Sequence, residues 1–131
     1  MRQFYLRDRL MFPIGIKYNI PNNTCLTTIK DLFPELRNSE LTGPRRWSSV
    51  LSLPKVMKPK VGDLILWSDY FKFGFHATHI ALIVNYDNNL IYHMGRDNDA
   101  DEMTTKVTEC SYCIQNAFEH IRFLRPNQAI T

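Results

Sequence analysis

Among the three cysteines and four histidines of this 131-residue chain, Cys25, His79 and His93 are the candidates for a nucleophile, its base and the partner of that base. Cys25 follows Thr24 and opens an amphipathic run, so we expect a helix over residues 25–33, with Thr24 or the residue before it as the N-cap. Backbone N–H groups at a helix start favour the nucleophilic thiolate and can donate to a developing oxyanion. The alternative interpretation is that Cys25 is a small core residue, which is common for free cysteines.

The two histidines lie at the ends of a predicted β-hairpin, near residues 79 and 93 of the chain. A thiol nucleophile needs a base, and that base needs an orienting partner, so the faces that the histidines occupy matter. A three-residue loop over residues 86–88 would place His93 opposite Ala81, diagonal to His79 on the same face. A four-residue loop would place the histidines on opposite faces, and a five-residue loop would restore the shared face. The sequence therefore permits a histidine pair without requiring it.

A different interpretation uses a second cluster of ligand-type side chains. Cys110 and Cys113 form a C-x-x-C motif, and His76 and His79 form an H-x-x-H motif. Together they could bind one zinc ion, because structural zinc sites use such short ligand spacings. This zinc-stabilised module would engage His79 in metal binding and is kept as an alternative. The acidic run over residues 97–102 lacks the glycine of a calcium loop and is interpreted as a solvated loop.

The order of the predicted elements indicates an α+β protein. The predicted helices are residues 2–11, 25–33, 35–41 and 45–51. The predicted strands are residues 64–67, 79–84, 90–93, 106–110 and 118–124. Residues 53–60 are extended, and their prolines exclude them from the centre of a sheet. We expect residues 1–131 to form a single domain, because the chain is long enough for only one sizeable core.

Charge and composition narrow the classes of function. Residues 1–60 carry a net charge of +7 and residues 61–131 a net charge of −4, but the basic residues are scattered and lack the interleaved aromatic residues of a single-strand platform. We therefore expect no nucleic-acid partner. We also expect no membrane span, since no run approaches about 18 apolar residues. The charged N-terminus shows no signal peptide, which predicts synthesis in the cytoplasm.

Three stretches resemble the NlpC-type cell-wall cysteine peptidases. These are residues 62–67 (Gly-Asp-Leu-Ile-Leu-Trp), residues 79–84 (His-Ile-Ala-Leu-Ile-Val) and residues 90–93 (Leu-Ile-Tyr-His). That family has a Cys at a helix start, a Gly-Asp leading a strand, and then a His opening a hairpin that ends in a polar residue. The resemblance covers roughly residues 10–125. It implies a papain-like fold, with N-terminal helices packed on a C-terminal antiparallel sheet of about five strands.

The resemblance also implies roles for individual residues. Cys25 would be the nucleophile, His79 the general base and acid, and His93 the group that orients His79. Tyr18 resembles a tyrosine that lines the substrate site, and no metal or organic cofactor is implied. The family usually has Asp-Cys-Ser-Gly around the nucleophile, where this chain has Thr-Cys-Leu-Thr at residues 24–27. Members carried by bacteriophage tails are similarly divergent at this point.

The function implied by the resemblance is hydrolysis of an amide in peptidoglycan stem peptides through an acyl-enzyme. A relation to phage-tail members implies phage tail proteins as partners, and delivery as a virion component or by a secretion system. The divergent residues around Cys25 leave an alternative open, in which the domain is a catalytically inactive structural or binding part of a phage tail.

Overall fold

The computed structural model describes residues 13–20, 22–37, 39–69, 73–96, 102–110 and 120–126. Within these ranges the chain forms one six-stranded sheet in the order β1-β6-β2-β3-β4-β5, and every neighbouring pair is antiparallel. The strands are β1 (Lys55–Val56), β2 (Leu64–Ser68), β3 (Ala77–Asn85), β4 (Leu90–Arg96), β5 (Met103–Glu109) and β6 (Ile121–Leu124). The predicted helix over residues 2–11 and the first two residues of the predicted last strand lie outside the described residues.

The helices correct the predicted fold class. The described residues form only three helices, α1 (Cys25–Lys30), α2 (Pro34–Arg37) and α3 (Ser48–Leu51), of six, four and four residues. The predicted papain-like α+β layout, with N-terminal helices packed on a sheet of about five strands, is therefore wrong. Pro34 disfavours helix in the residue before it, and the Gly-Pro pair at residues 43–44 interrupts the next segment, so no long helix forms. None of these helices is long and apolar enough to cross a membrane.

Part of the N-terminal half joins the sheet instead of forming a helix. The backbone N–H of Gly15 donates to the Thr105 carbonyl at 2.8 Å, and the Thr105 N–H donates to the Ile16 carbonyl at 3.0 Å. The N–H of Tyr18 donates to the Met103 carbonyl at 2.9 Å. These bonds cover the outer edge of β5, which would otherwise present unpaired backbone groups. They also bring Tyr18 and the start of α1 to the same end of the sheet.

The central strands are buried on both faces. On one face Leu64, Leu66, Ile80 and Leu82 pack with α1. On the other face Ile65, Ala81 and Ile83 pack with apolar residues of β4 and β6. This explains why the sequence of these strands is almost continuously apolar.

The Gly-Asp motif at residues 62–63 has a structural role. Gly62 adopts φ +97°, a conformation that favours glycine, and so lets the chain turn into β2. The buried Asp63 carboxylate accepts two hydrogen bonds of 2.8 Å from Nε and Nη2 of Arg125, which follows β6. It accepts a third from the Lys60 backbone N–H at 2.8 Å. The motif thus ties the start of β2 to the end of β6.

We expect Asp63→Asn to lower the free energy of unfolding by about 2 kcal/mol, because it breaks a bidentate pair and leaves Arg125 without its counter-ion. Urea denaturation of the two proteins measures the difference. The matched control is Glu102→Gln, which removes an exposed ion pair with Lys17 at 3.8 Å and should change stability little. Equal effects of the two substitutions would contradict the role given to Asp63.

Candidate functional site

Cys25 is the first residue of α1, as the sequence predicts. Thr24 is the N-cap: its hydroxyl accepts from the Thr27 backbone N–H at 3.2 Å, and the Thr27 hydroxyl accepts from the Thr24 N–H at 2.7 Å. This reciprocal capping box fixes where the helix begins. Cys25 is a free cysteine and is only partly buried. The divergent Thr-Cys-Leu-Thr sequence therefore places the thiol at a well-defined helix start.

The hairpin of β3 and β4 places both histidines on one face. His93 is paired with Ala81, so it lies diagonal to His79, as the three-residue loop predicts. The turn itself, however, runs over four residues, and Asn85 pairs with Leu90. A β-bulge between Ile83 and Asn85 adds one residue to β3 and restores the register. The histidines thus have one of the registers that the sequence permits. The expectation that a four-residue loop would put them on opposite faces is wrong, because the bulge compensates for that loop.

The two imidazole rings are hydrogen-bonded. His79 Nε2 and His93 Nδ1 are 3.0 Å apart, and the rings meet nearly edge to face with centroids 5.2 Å apart. The other ring nitrogen of His93, Nε2, is 2.9 Å from the Thr108 hydroxyl on β5. If Nε2 of His79 carries the proton, His93 accepts it at Nδ1 and donates from Nε2 to Thr108. In that tautomer Nδ1 of His79 is a free base, and no described residue hydrogen-bonds to it.

Burial keeps the histidine pair neutral. The His79 ring packs against Trp67 with ring centroids 5.2 Å apart, and desolvation, with a smaller contribution from the nearby His93, lowers the pKa of His79 to about 4. Desolvation and the charge of Lys106 also lower the pKa of His93. At neutral pH His79 is therefore uncharged, and its lowered pKa makes it a weaker base than a free imidazole.

Cys25 and His79 line the same cavity, whose volume is about 490 Å³. Burial raises the pKa of the Cys25 thiol, while backbone groups of Ile80 and Leu26 and the charge of Arg46 act in the opposite direction. The thiol is thus protonated at rest and shares the cavity with a neutral imidazole.

Tyr18, the predicted substrate-binding residue, also lines this cavity, and His93 stands behind His79. The structure therefore brings all four predicted site residues into one region. Sequence reasoning missed much of the wall, which comes from the segment before α3 and from β4 and β5. The missed wall residues are Leu41, Thr42, Arg46, Trp47, Met94 and Met103. No spacing in the sequence marks them, because they meet only in the tertiary structure.

The residues of the zinc alternative are engaged elsewhere. Cys110 is disulfide-bonded, and Cys113 lies outside the described residues. His76 Nε2 is 2.7 Å from the Phe73 carbonyl, and His79 is bonded to His93. In the described part of the chain no group of three or more metal-binding side chains is found. A thiolate is the sulfur ligand that zinc requires, and Cys110 does not supply one.

Comparison of the chain with protein-family models, with curated proteins and with solved structures finds no match. What the site can do chemically therefore rests on its own geometry: a free thiol and a neutral imidazole in one cavity, with a second imidazole bonded to the first.

We expect Gly95→Ala to displace the His93 ring. A Cβ on Gly95 would lie 2.8 Å from Cε1 and 2.9 Å from Nε2 of His93, and 3.2 Å from Cδ of Lys106. The substitution should cost about 1–3 kcal/mol of stability, because the buried ring must leave its place between His79 and Thr108. Urea denaturation of the single and double variants measures this cost. In the His93→Ala background the same substitution should cost much less, and an unchanged cost would contradict the contact.

We expect stability to depend on the protonation of His79. Its pKa falls from 6.5 in the unfolded chain to about 4 in the folded protein, so the unfolded state binds more protons between these values. The contribution is complete above pH 6.5 and is lost as the pH falls towards 4, about 3 kcal/mol in all. Urea denaturation across this range measures it. A His79→Gln protein should show a shallower decline, and an identical decline would mean that His79 is not the group responsible.

Proposed function

We propose that this protein is a cysteine hydrolase that cleaves an amide bond through Cys25, His79 and His93. The observation that carries the proposal is the shared cavity: the only free cysteine of the described residues lines it together with His79, whose Nε2 is 3.0 Å from His93 Nδ1. A nucleophile, a base and a group that orients the base are the parts that covalent amide hydrolysis requires.

The first chemical step forms a thioester. Nδ1 of His79 takes the thiol proton as the sulfur attacks the substrate carbonyl, and the carbonyl π electrons move onto its oxygen. The backbone N–H groups of Cys25 and Leu26, in the first turn of α1, have no partner within the helix and are the donors available to that oxygen. When the tetrahedral intermediate collapses, the C–N bond breaks and the His79 imidazolium gives its proton to the leaving amine.

The second step hydrolyses the thioester. Neutral His79 takes a proton from water as the water attacks the acyl carbon, and the C–S bond breaks. The thiolate regains a proton from His79, and the acid product leaves. His93 acts through His79: by accepting a hydrogen bond from Nε2–H of His79, it keeps Nδ1 directed to the reaction and stabilises the imidazolium that forms twice in the cycle.

The resting protonation states affect the rate. Because the pKa of Cys25 is raised and that of His79 lowered, the neutral thiol–imidazole pair prevails over the ion pair. Thiolate formation then accompanies attack of the sulfur on the substrate carbonyl.

The substrate class proposed is a peptide amide of the cell wall. The similarity of residues 62–67 and 79–93 to NlpC-type cell-wall cysteine peptidases supports this choice, and the cavity of about 490 Å³ can accept a short peptide segment. Partnership with phage tail proteins and delivery by a virion stay predictions from the same similarity. An inactive binding domain is the second candidate, and the raised thiol pKa is the observation that favours it.

The test is peptidoglycan digestion, followed by mass spectrometry of the released peptides and new amino termini. We expect the protein to release products, and we expect Cys25→Ser and His79→Gln each to lower the rate by roughly 10³-fold or more. Thr42→Ser is the matched control, since Thr42 lines the cavity without a chemical role. Intact hydrolysis in the Cys25→Ser protein would disprove the nucleophile. Absence of both hydrolysis and alkylation of Cys25 by iodoacetamide would establish the inactive domain.

A further inference from the structure

The hydrogen bonds that begin at His79 do not end at His93. Nδ1 of His93 is 3.0 Å from Nε2 of His79, and its Nε2 is 2.9 Å from the hydroxyl of Thr108. The three side chains form a row across three neighbouring strands, β3, β4 and β5. Thr108 is half-buried at the far end of this row and does not line the cavity. The proposed mechanism uses the two histidines and leaves Thr108 without a role.

The strand registers produce the row. His93 is paired with Ala81 on β3 and with Lys106 on β5. His79 lies two residues from the first of these partners, and Thr108 lies two residues from the second. Diagonal neighbours of this kind share a face of the sheet and are within reach of one another. The register that joins the histidines is therefore continued by a second register that joins His93 to Thr108.

Such a row can be hydrogen-bonded in two directions. In the first direction, Nε2–H of His79 donates to Nδ1 of His93, and Nε2–H of His93 donates to the Thr108 hydroxyl. In the second direction, Thr108 donates to Nε2 of His93, Nδ1–H of His93 donates to His79, and His79 carries its own proton at Nδ1. Only the first direction leaves Nδ1 of His79 able to accept a proton from the thiol.

The contacts of the row favour the first direction. In that direction both N–H groups have an acceptor, because the Thr108 oxygen has two lone pairs. In the second direction Nδ1–H of His79 would have no acceptor among the described residues. Burial, and then the positive charge of Lys106, lowers the pKa of His93. Transfer of a proton from a charged His79 to His93 is therefore disfavoured, and the proton stays where the leaving amine can take it.

We propose that Thr108 is a positioning residue for the histidine pair: by accepting a hydrogen bond from Nε2–H of His93, its hydroxyl fixes the direction that leaves Nδ1 of His79 bare. The use of this bare nitrogen as a base rests on the proposed hydrolase function. Thr108 receives no proton and acts only through His93. The site thus extends from Cys25 through two imidazoles to a hydroxyl on β5.

The first test measures the tautomers directly. Thr108→Val keeps the branched shape of the side chain and removes its oxygen, so Nε2–H of His93 loses its acceptor. We expect both wild-type rings to carry the proton at Nε2, and the valine variant to raise the proportion of the opposite tautomer about tenfold, which corresponds to the loss of one hydrogen bond. Nitrogen-15 NMR at neutral pH distinguishes protonated from bare ring nitrogens, and His79→Gln assigns the signals. Thr108→Ser keeps the oxygen and should keep the wild-type tautomers.

The second test measures peptidoglycan hydrolysis. Thr108→Val should lower kcat about tenfold with little change in KM, because Thr108 acts through the base and not on the substrate. Thr108→Ser should stay within about twofold of the wild type, since it retains the acceptor. Thr104→Val is the matched control: it makes the same change on the same strand, at a residue without a hydrogen bond to either histidine. It should change neither the tautomers nor kcat.

The outcomes separate this inference from the proposed function. Unchanged tautomers in the Thr108→Val protein, equal effects of Thr108→Val and Thr104→Val, or a wild-type proton at Nδ1 of His79 would overturn the role of Thr108. If the tautomers change as expected but the wild-type protein releases no peptides, the hydrolase is overturned, and Thr108 is supported as the residue that directs the histidine pair.

Discussion

The pairing register of β3 and β4 is the constraint on which the site depends. Side chains alternate across a strand, so a shift of one residue would send His79 and His93 to opposite faces of the sheet. The pairing of Ala81 with His93 places them on the same face, and the bulge between Ile83 and Asn85 compensates for a four-residue turn. Asn89 adopts φ 56° in that turn, and Asn88 N–H donates to the Asn85 side chain at 2.9 Å. Turn chemistry and bulge together thus determine whether a histidine pair exists.

The direction of the hydrogen bond between the two imidazoles depends on the tautomer. When Nε2 of His79 carries the proton, His93 donates from Nε2 to the Thr108 hydroxyl on β5, and Nδ1 of His79 is left free. Gly95 leaves the space that the His93 ring occupies. Desolvation lowers the pKa of both imidazoles and raises that of the thiol, so all three groups are uncharged at neutral pH.

The buried ammonium of Lys30 holds the part of the cavity wall that comes from the segment before α3. Lys30 has no acidic partner at hydrogen-bond distance among the described residues; it is satisfied by two backbone carbonyls, and this attaches the segment before α3 to α1. That segment contributes Arg46 and Trp47 to the cavity. Charged groups outside the cavity thus hold its surroundings together. The Asp63–Arg125 pair ties β2 to β6, and Lys30 attaches the segment that carries Arg46 and Trp47 to α1.

The sequence alone determined the local features of this protein. The Thr24 cap predicted where α1 begins, the apolar runs predicted the central strands, and the prolines of residues 53–60 predicted that this segment is not central, as the two-residue β1 at the sheet margin shows. These features depend on residues that are neighbours in the sequence, so the local sequence pattern is enough to predict them. The helical layer was overestimated: the sequence suggested helices over residues 35–41 and 45–51, whereas α2 and α3 have four residues each.

The strand register, the pKa values of the site and the residues of the cavity wall were decided only by the tertiary structure. The strands around the histidines are apolar on both faces, so their periodicity contains no information on register, and the bulge that sets it is invisible in the sequence. The pKa values of Cys25 and His79 depend on burial by residues distant in the chain. The backbone carbonyl of Arg46 accepts a hydrogen bond from Lys30, sixteen residues earlier, and this contact brings Arg46 to the cavity. Cys25, His79 and His93 could be named as candidates from their types and spacing. Their meeting in one site required the packing of the whole sheet, because contacts between distant residues are set by the three-dimensional arrangement and not by local pattern.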